Sequence, residues 1–238
     1  LRQELEQLGY QFRSQSDTEV VLMAYDAWGQ DFLCRLSGIF AFALFDKTRK
    51  SVLLARDQMG VKPLYYACSK NRLGFCSEIK GLVRLMPELR EIDQQALRQY
   101  FSFIYCPGDA TPLKAVRKLE PGTAMWVHNG KIKTRWQFYR LPALGPSNKK
   151  MSARKAIEGT NHLLRQAVKR QMISDVPLGA FLSGGVDSTG IVAFAREQAS
   201  DIQCFTIRNS GGRDAGETDD LPFARMAAAH LDVSLHII

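Results

Sequence analysis

The segment Asp175-Val176-Pro177-Leu178-Gly179-Ala180-Phe181-Leu182-Ser183-Gly184-Gly185-Val186-Asp187-Ser188-Thr189 holds the residue types best suited to chemistry. An apolar strand ending at Leu182, two adjacent glycines and an immediate helix start would aim several backbone N–H groups at one point. Those of Gly184, Gly185 and the first helical turn converge there, and the helix dipole favours an anion. The hydroxyls of Ser183, Ser188 and Thr189 add donors for phosphate oxygens. Asp187 would repel a bare phosphate, so its carboxylate implies a divalent cation between them. Mg2+ suits such a place, because it binds through a carboxylate, waters and substrate phosphate oxygens. The pattern is not a Walker loop, since no lysine follows the glycines, and it lacks the third glycine of the dinucleotide fingerprint. A plain strand–turn–helix junction with capping serines is the alternative. The complete Ser-Gly-Gly-x-Asp-Ser at the carboxyl end of a parallel strand favours a nucleotide site.

The elements that must hold this turn follow from periodicity. Ile157, Leu164 and Val168 share one helical face in a helix with a basic outer side. Val176 to Leu182 is expected as a short buried strand, Val186 to Glu197 as a helix and Ile202 to Ile207 as a second strand. Asp219 to Leu231 is again helical and Val233 to Ile238 a third strand, an alternation that predicts a parallel sheet. Upstream, the texture changes to hairpins with some helix. Leu1, Leu5 and Leu8 have helical spacing, with Gly9 as the stop. Ser16 and Glu19 fit a capping box, which places Asp17 in the first turn of the next helix. The apolar run Gly38 to Asp46 is expected as a strand covered on both faces. Ser51 to Arg56, Leu64 to Ala67 and Arg72 to Cys76 are further strands, the last two paired across Lys70-Asn71. Asn129-Gly130 marks a tight hairpin between Ala124–Val127 and Ile132–Trp136, and Asp93 caps a helix to Phe101. Between the two textures, Leu141-Pro142-Ala143-Leu144-Gly145-Pro146-Ser147-Asn148-Lys149-Lys150 has the composition of a linker. The expected domains are therefore 1–140 and 151–238, joined by 141–150.

The 238 residues are 45% hydrophobic and 24% charged, enough apolar content for a substantial core. No run approaches the ~20 apolar residues of a membrane span, so no membrane partner is expected. The net charge of +8 is uneven: residues 1–150 carry 23 Lys and Arg against 14 Asp and Glu, the remainder 9 against 10. The excess peaks between Lys114 and Lys150. With no helical or zinc signature of a nucleic-acid module, a solvated basic face accounts for it better than nucleic-acid binding. Five irregularly spaced cysteines without a C-x-x-C exclude a disulfide framework and a zinc site. They predict reduced thiols in a cytoplasmic protein, with Cys34, Cys68 and Cys76 in apolar surroundings.

The Ser183–Ser188 motif resembles the loop of ATP pyrophosphatases, and with Val176 to Leu182 in front it resembles the glutamine-hydrolysing asparagine synthetases. Ala55-Arg56-Asp57-Gln58-Met59-Gly60-Val61-Lys62-Pro63-Leu64-Tyr65-Tyr66 is similar to that family's glutaminase domain. So are Leu36 to Ala43, Ser77-Glu78-Ile79-Lys80 and Val116 to Gly122. The resemblance implies an α+β glutaminase-like domain of the Ntn hydrolase type, an incomplete αββα sandwich. An incomplete α/β Rossmann-like parallel sheet of the ATP pyrophosphatase type follows it. The implied activity is ATP-dependent amide formation on aspartate through an acyl-adenylate, with ammonia from L-glutamine; ATP and Mg2+ are the implied cofactors and a homodimer a possible assembly. Asp17 matches the residue holding the glutamine α-amino group, although by itself it is a helix-start carboxylate. Leu182 and Ile207 match positions contacting the nucleotide, with Ser183, Gly184, Gly185, Asp187 and Ser188 around pyrophosphate and Asp187 on the metal. Asp219-Asp220 resembles an acidic pair near the phosphates, or a plain acidic helix start.

The sequence departs from that pattern at both ends. The family's nucleophilic cysteine follows the start Met, whereas this chain begins with Leu1, and it stops at Ile238 before the loop that completes the ATP site. The resemblance thus implies an internal fragment with no catalytic residue of its own for glutamine hydrolysis, inactive alone. Two alternatives stay open: the same chemistry on another carboxylate (secondary metabolism, envelope biosynthesis, lactam closure), and a non-catalytic nucleotide-binding relative. The stretch Ser210 to Gly216 reads as a surface loop or a flap beside the phosphate site.

Overall fold

Side-chain alternation along the strands decides how the first half of the chain is layered. The computed structural model describes residues 1–142, 151–208 and 220–238, in two compact units, Leu1–Leu144 and Gly145–Ile238. Most of the expected linker, residues 143–150, lies outside the described residues, as do Ser210 to Gly216 and Asp219.

The first unit begins with helices α1 (Arg2–Gln7) and α2 (Asp17–Trp28) and strands β1 (Ala41–Asp46), β2 (Ser51–Arg56), β3 (Tyr65–Ser69) and β4 (Arg72–Cys76). Helices α3 (Ile79–Leu85) and α4 (Gln94–Phe103) and strands β5 (Val116–Lys118), β6 (Thr123–His128) and β7 (Lys131–Gln137) complete it. The strands form two antiparallel sheets, β1-β2-β6-β7 and β4-β3-β5. In β2 and β6, Leu53, Ala55, Ala124 and Trp126 pack with Leu5, Ala24 and Phe32 of the helical side. Their neighbours Leu54, Met125 and Val127 point the other way, onto Leu64, Tyr66 and Leu119. Tyr65 and Ala67 of β3 then meet Leu82 and Met86. The layers run helix, sheet, sheet, helix, with β2, β3 and β6 each dividing their side chains between two cores.

The Asn-Gly hairpin forms as expected, with Asn129 and Gly130 at φ 48° and 71° and His128 opposite Lys131. A Cβ on Gly130 would come within 1.9 Å of the Asn71 carbonyl oxygen in the β3–β4 turn, so only glycine fits where the two turns touch. The Asp93 side chain caps α4 by accepting from Gln95 and Ala96 N–H. The capping box is only half formed. Ser16 Oγ accepts from Thr18 N, but Glu19 bypasses Ser16 and takes the N–H groups of Arg13 and Ser14 at 2.9 and 2.8 Å, pinning the incoming chain instead. The run Gly38 to Asp46 is not covered on both faces. Its strand starts at Ala41 and lies at a sheet edge; Ala41 joins the inter-sheet core, whereas Ala43 and Phe45 on the same face are exposed, because the second sheet has only three strands.

The second unit contains α5 (Ala153–Gln171), β8 (Gly179–Phe181), α6 (Val186–Arg196), β9 (Gln203–Thr206), α7 (Leu221–Leu231) and β10 (Ser234–Ile237). The three strands are parallel, in the order β10-β9-β8. Leu182, Val192, Cys204, Ala227 and Ala228 form the core under α6 and α7. Two expectations fail here. The strand Val176 to Leu182 shortens to Gly179–Phe181, with Phe181 69% exposed, since β8 is an edge strand and only Ala180 turns toward the helices. Of the α5 stripe, only Val168 is buried, where it meets Ala195 and Ile202; Ile157 and Leu164 stay exposed. The cysteine expectation holds only for Cys76, which is half-buried against Ala67 and Leu82; Cys34 and Cys68 are exposed, and Cys106 and Cys204 are the buried ones. No helix among the described residues is long and apolar enough to cross a membrane.

Between β2 and β3 the chain folds around Asp57, whose carboxylate is 1% exposed. Oδ1 accepts from Met59 and Val61 N–H at 3.1 and 2.9 Å, and Oδ2 from Lys62 N–H at 3.0 Å. Arg56 does the converse, donating to the carbonyls of Gly60, Lys62 and Leu119 at 2.6, 2.7 and 2.6 Å. Asp57→Asn would retain two acceptor contacts and set an NH2 against the Lys62 N–H. We expect a loss of about 2–3 kcal/mol in urea unfolding, with faster amide exchange at Lys62.

Candidate functional site

The glycine turn is placed by two strands and two helices of the second unit. Leu182 N–H donates to the Phe205 carbonyl at 2.8 Å, so the turn begins where β8 leaves β9. Gly184 has φ 80°, and a Cβ there would stand 2.3 Å from the Phe223 carbonyl carbon and 2.5 Å from Ala224 N. The turn therefore rests on the first turn of α7, an approach only glycine permits. Gly185 is the N-cap of α6, which has no side-chain cap. The N–H groups of that first turn lack intrahelical acceptors and are oriented for an anion.

The serines act first on the turn itself. Ser183 and Ser188 hydroxyls are 2.9 Å apart, Ser188 Oγ accepts from Ser183 N at 3.3 Å and donates to the Gly185 carbonyl at 3.2 Å, and Gly185 N donates to Ser183 Oγ at 3.4 Å. Sequence reasoning treated both as ready phosphate donors; here they shape the cradle. Thr189 Oγ1 is buried without a hydrogen-bond partner among the described residues. Asp187 is exposed in the first turn of α6. Leu182 and Ile207 come to the same end of the sheet but differ: Leu182 is 1% exposed within the core, whereas Ile207 is 65% exposed. Asp220 sits at the N-cap of α7 without a side-chain cap bond.

No group of three or more His, Cys, Asp and Glu that could enclose a metal occurs among the described residues. The donor set fits Mg2+ held by one carboxylate, Asp187, together with ligand phosphate oxygens, and not an all-protein cage.

The first unit carries a second site. A cavity of about 510 Å³ is lined by Asp17, Thr18, Val21, Ile39 to Phe42, Lys62, Pro63 and Ser77. It draws together α2, the start of β1, the loop held by Asp57 and the end of β4. Asp17 is in the first turn of α2, its only described polar side-chain contact being Thr18 Oγ1 at 3.5 Å. Lys62 and Ser77 went unassigned in the sequence although both lie in motifs noted there; no local pattern says that they share a cavity with Asp17.

Residues 1–139 match the family model described as a glutamine amidotransferase domain, and residues 159–238 the one described as asparagine synthase. The chain is 36% identical over 210 residues to "Asparagine synthetase [glutamine-hydrolyzing] 1" of Bacillus subtilis, covering 87% of this chain and 32% of that protein. It is 34% identical over 226 residues to "Putative asparagine synthetase [glutamine-hydrolyzing] 2" of Methanocaldococcus jannaschii, covering 93% and 42%. The chain thus spans well under half the length of these relatives. Among solved structures, a Bacillus subtilis glutamine phosphoribosylpyrophosphate amidotransferase overlays with 13% identity and a TM-score of 0.41, covering 99% of this chain and 57% of that one; at that score the likeness carries no argument.

The turn geometry makes a separable prediction. Gly184→Ala forces a strained φ and a clash with α7, so we expect a loss of about 3 kcal/mol or more, confined to the second unit. Amide exchange should rise in α6 and α7 and stay unchanged in β2 and β6.

Proposed function

The chain belongs to the glutamine amidotransferase domain family over residues 1–139, with a match to asparagine synthase following; on that premise we propose that it serves a glutamine-dependent, ATP-consuming asparagine synthetase. The observation that carries this reading is the order of the two matches, each falling on a unit with its own site: the Asp17 cavity in the first and the glycine turn in the second. We assign 1–140 as an N-terminal-nucleophile type glutaminase domain, in keeping with its helix–sheet–sheet–helix layers. Residues 141–150 are the linker, and 151–238 a Rossmann-like ATP-pyrophosphatase domain. Cytoplasmic location and a homodimer belong to the same proposal.

Asp17 accepts the α-ammonium of L-glutamine, whose side-chain amide is hydrolysed to release ammonia. No cysteine of this chain is assigned as the nucleophile. In the second unit, N–H groups of Gly184, Gly185 and the start of α6 bind the β- and γ-phosphates of ATP, and Ser183 and Ser188 keep the turn open to them. The Thr189 hydroxyl, buried and without a hydrogen-bond partner among the described residues, follows in the first turn of α6. Leu182 and Ile207 flank the nucleotide from the sheet end. The Asp187 carboxylate would hold Mg2+, which would supply positive charge to the phosphates as pyrophosphate departs. A carboxylate oxygen of aspartate attacks the α-phosphorus as the bond to the β-phosphate bridge breaks, giving aspartyl-adenylate and pyrophosphate. Ammonia then attacks the acyl carbon, AMP leaves with the C–O electron pair, and the excess proton passes to solvent. The N–H cradle stabilises the leaving group where charge develops.

In the full-length protein, glutamine, aspartate and ATP should give asparagine, AMP and pyrophosphate, read by phosphorus NMR; ADP and phosphate as the only products would overturn the reading. Asp187→Asn should lower synthetase turnover by about 100-fold while leaving glutamine hydrolysis within about twofold.

A further inference from the structure

A second cavity of the first unit, of about 340 Å³, opens where the β3–β4 turn meets the β6–β7 turn. Its charged lining is entirely cationic: Lys70, Arg72 and Lys131 belong to the walls, and no carboxylate does. Glu88, outside the lining, pairs with Arg72 at 3.2 Å and accepts from Ser69 Oγ at 3.0 Å. Lys70 lies in the field of that carboxylate without forming an ion pair with it. Lys131 has no ion pair among the described residues. Three cations against one carboxylate leave two positive charges uncompensated. Charges that guard a sheet edge are expected along a strand. These come instead from the turn ends of two different sheets and meet at one cavity.

The walls are set before anything binds. Lys70 and Asn71 hold φ 45° and 61°, and Asn129 and Gly130 hold 48° and 71° in the turn that touches them. Since Gly130 rests on the Asn71 carbonyl and the Arg72 Cα, each turn fixes the other. Only the lysine stems remain to be ordered on binding, which lowers its entropic cost. Ile132, 37% exposed, and the Cys68 thiol complete the lining with apolar surface. Burial pushes the Cys68 pKa up, so the thiol adds no charge. We infer that this cavity binds the dianionic phosphoryl group of a small molecule, its oxygens paired by the Lys70 and Lys131 ammoniums. A phosphate monoester carries about two negative charges near neutral pH, matching the two uncompensated cations. The volume falls at the lower end of small-molecule sites, roughly 300–1,000 Å³, and leaves room beside Ile132 for an organic remainder. This site is independent of the amide-forming activity proposed above.

Cys68 reports on the cavity it lines, and Cys34, the other exposed thiol of the chain, serves as its control. The full-length protein is alkylated with iodoacetamide at constant ionic strength, and both thiols are followed by peptide mass spectrometry. Glycerol 3-phosphate at ~10 mM should slow alkylation of Cys68 about fivefold and leave Cys34 unchanged. Glycerol at the same concentration should protect neither. Lys70→Met and Lys131→Met should each bring the protection below about twofold, whereas Lys131→Arg should retain it. A parallel run with inorganic phosphate separates the two sources of the group. Weaker protection than by the ester assigns a phosphate ester, equal protection assigns the free ion, and both support a phosphoryl site. Unslowed alkylation of wild-type Cys68 by either ligand overturns the inference. So does protection that survives in the Lys70→Met/Lys131→Met double variant, or that extends equally to Cys34.

Discussion

A buried carboxylate has to be answered by hydrogen bonds, and in the first unit the answer to Asp57 organises everything around it. Removing such a group from water without partners costs several kcal/mol. Asp57 recovers this by collecting three backbone N–H groups from the next five residues, while its own N–H reaches the Phe40 carbonyl and its carbonyl accepts from Gly60 and Gly122. One residue thereby ties the entrance of β1, the β2–β3 loop and the entrance of β6. Arg56 closes the same loop from its carbonyl side. The space left between this knot and α2 is the cavity that contains Asp17 and Lys62.

The second unit solves its positioning problem by close approach. Its turn is held by Gly184 lying directly on the backbone of Phe223 and Ala224, and by serine hydroxyls bonded to one another and to the turn. A steric constraint and a small hydrogen-bond set do there what a buried charge does in the first unit. Both devices leave polar groups that the fold itself does not use: the uncapped N–H groups of α6 in one case, and Asp17 and Lys62, which enter no ion pair among the described residues, in the other.

The basic excess takes a different meaning once partners are known. Within the stretch richest in cations, Lys114 pairs with Glu91, Arg135 with Glu120, and Lys118 donates to the Cys106 carbonyl, burial pushing its ammonium pKa down. These charges are engaged in contacts within the first unit. Tyr25 shows the same economy. Its hydroxyl donates to Asp46 at 2.6 Å, and desolvation with that bond pushes its pKa to about 12.

Where a motif's partners lie within a few residues, the sequence was sufficient. The Asn129-Gly130 turn and the Asp93 cap formed where their residue types required, because each is closed by local backbone geometry. Exposure was decided elsewhere. Phe45, Ile157, Leu164 and Ile207 are apolar residues in apolar patterns, yet each is exposed, since burial depends on a second layer that periodicity cannot count. Glu19 likewise chose the backbone of Arg13 and Ser14 over its cap residue only because the chain folds back there. Asp17 was identifiable as a helix-start carboxylate and by resemblance. That it shares a cavity with Lys62 became visible only in three dimensions, for the Lys62 loop is tied through Asp57 to the Phe40 carbonyl, which lines the same cavity, by contacts between segments far apart in the chain.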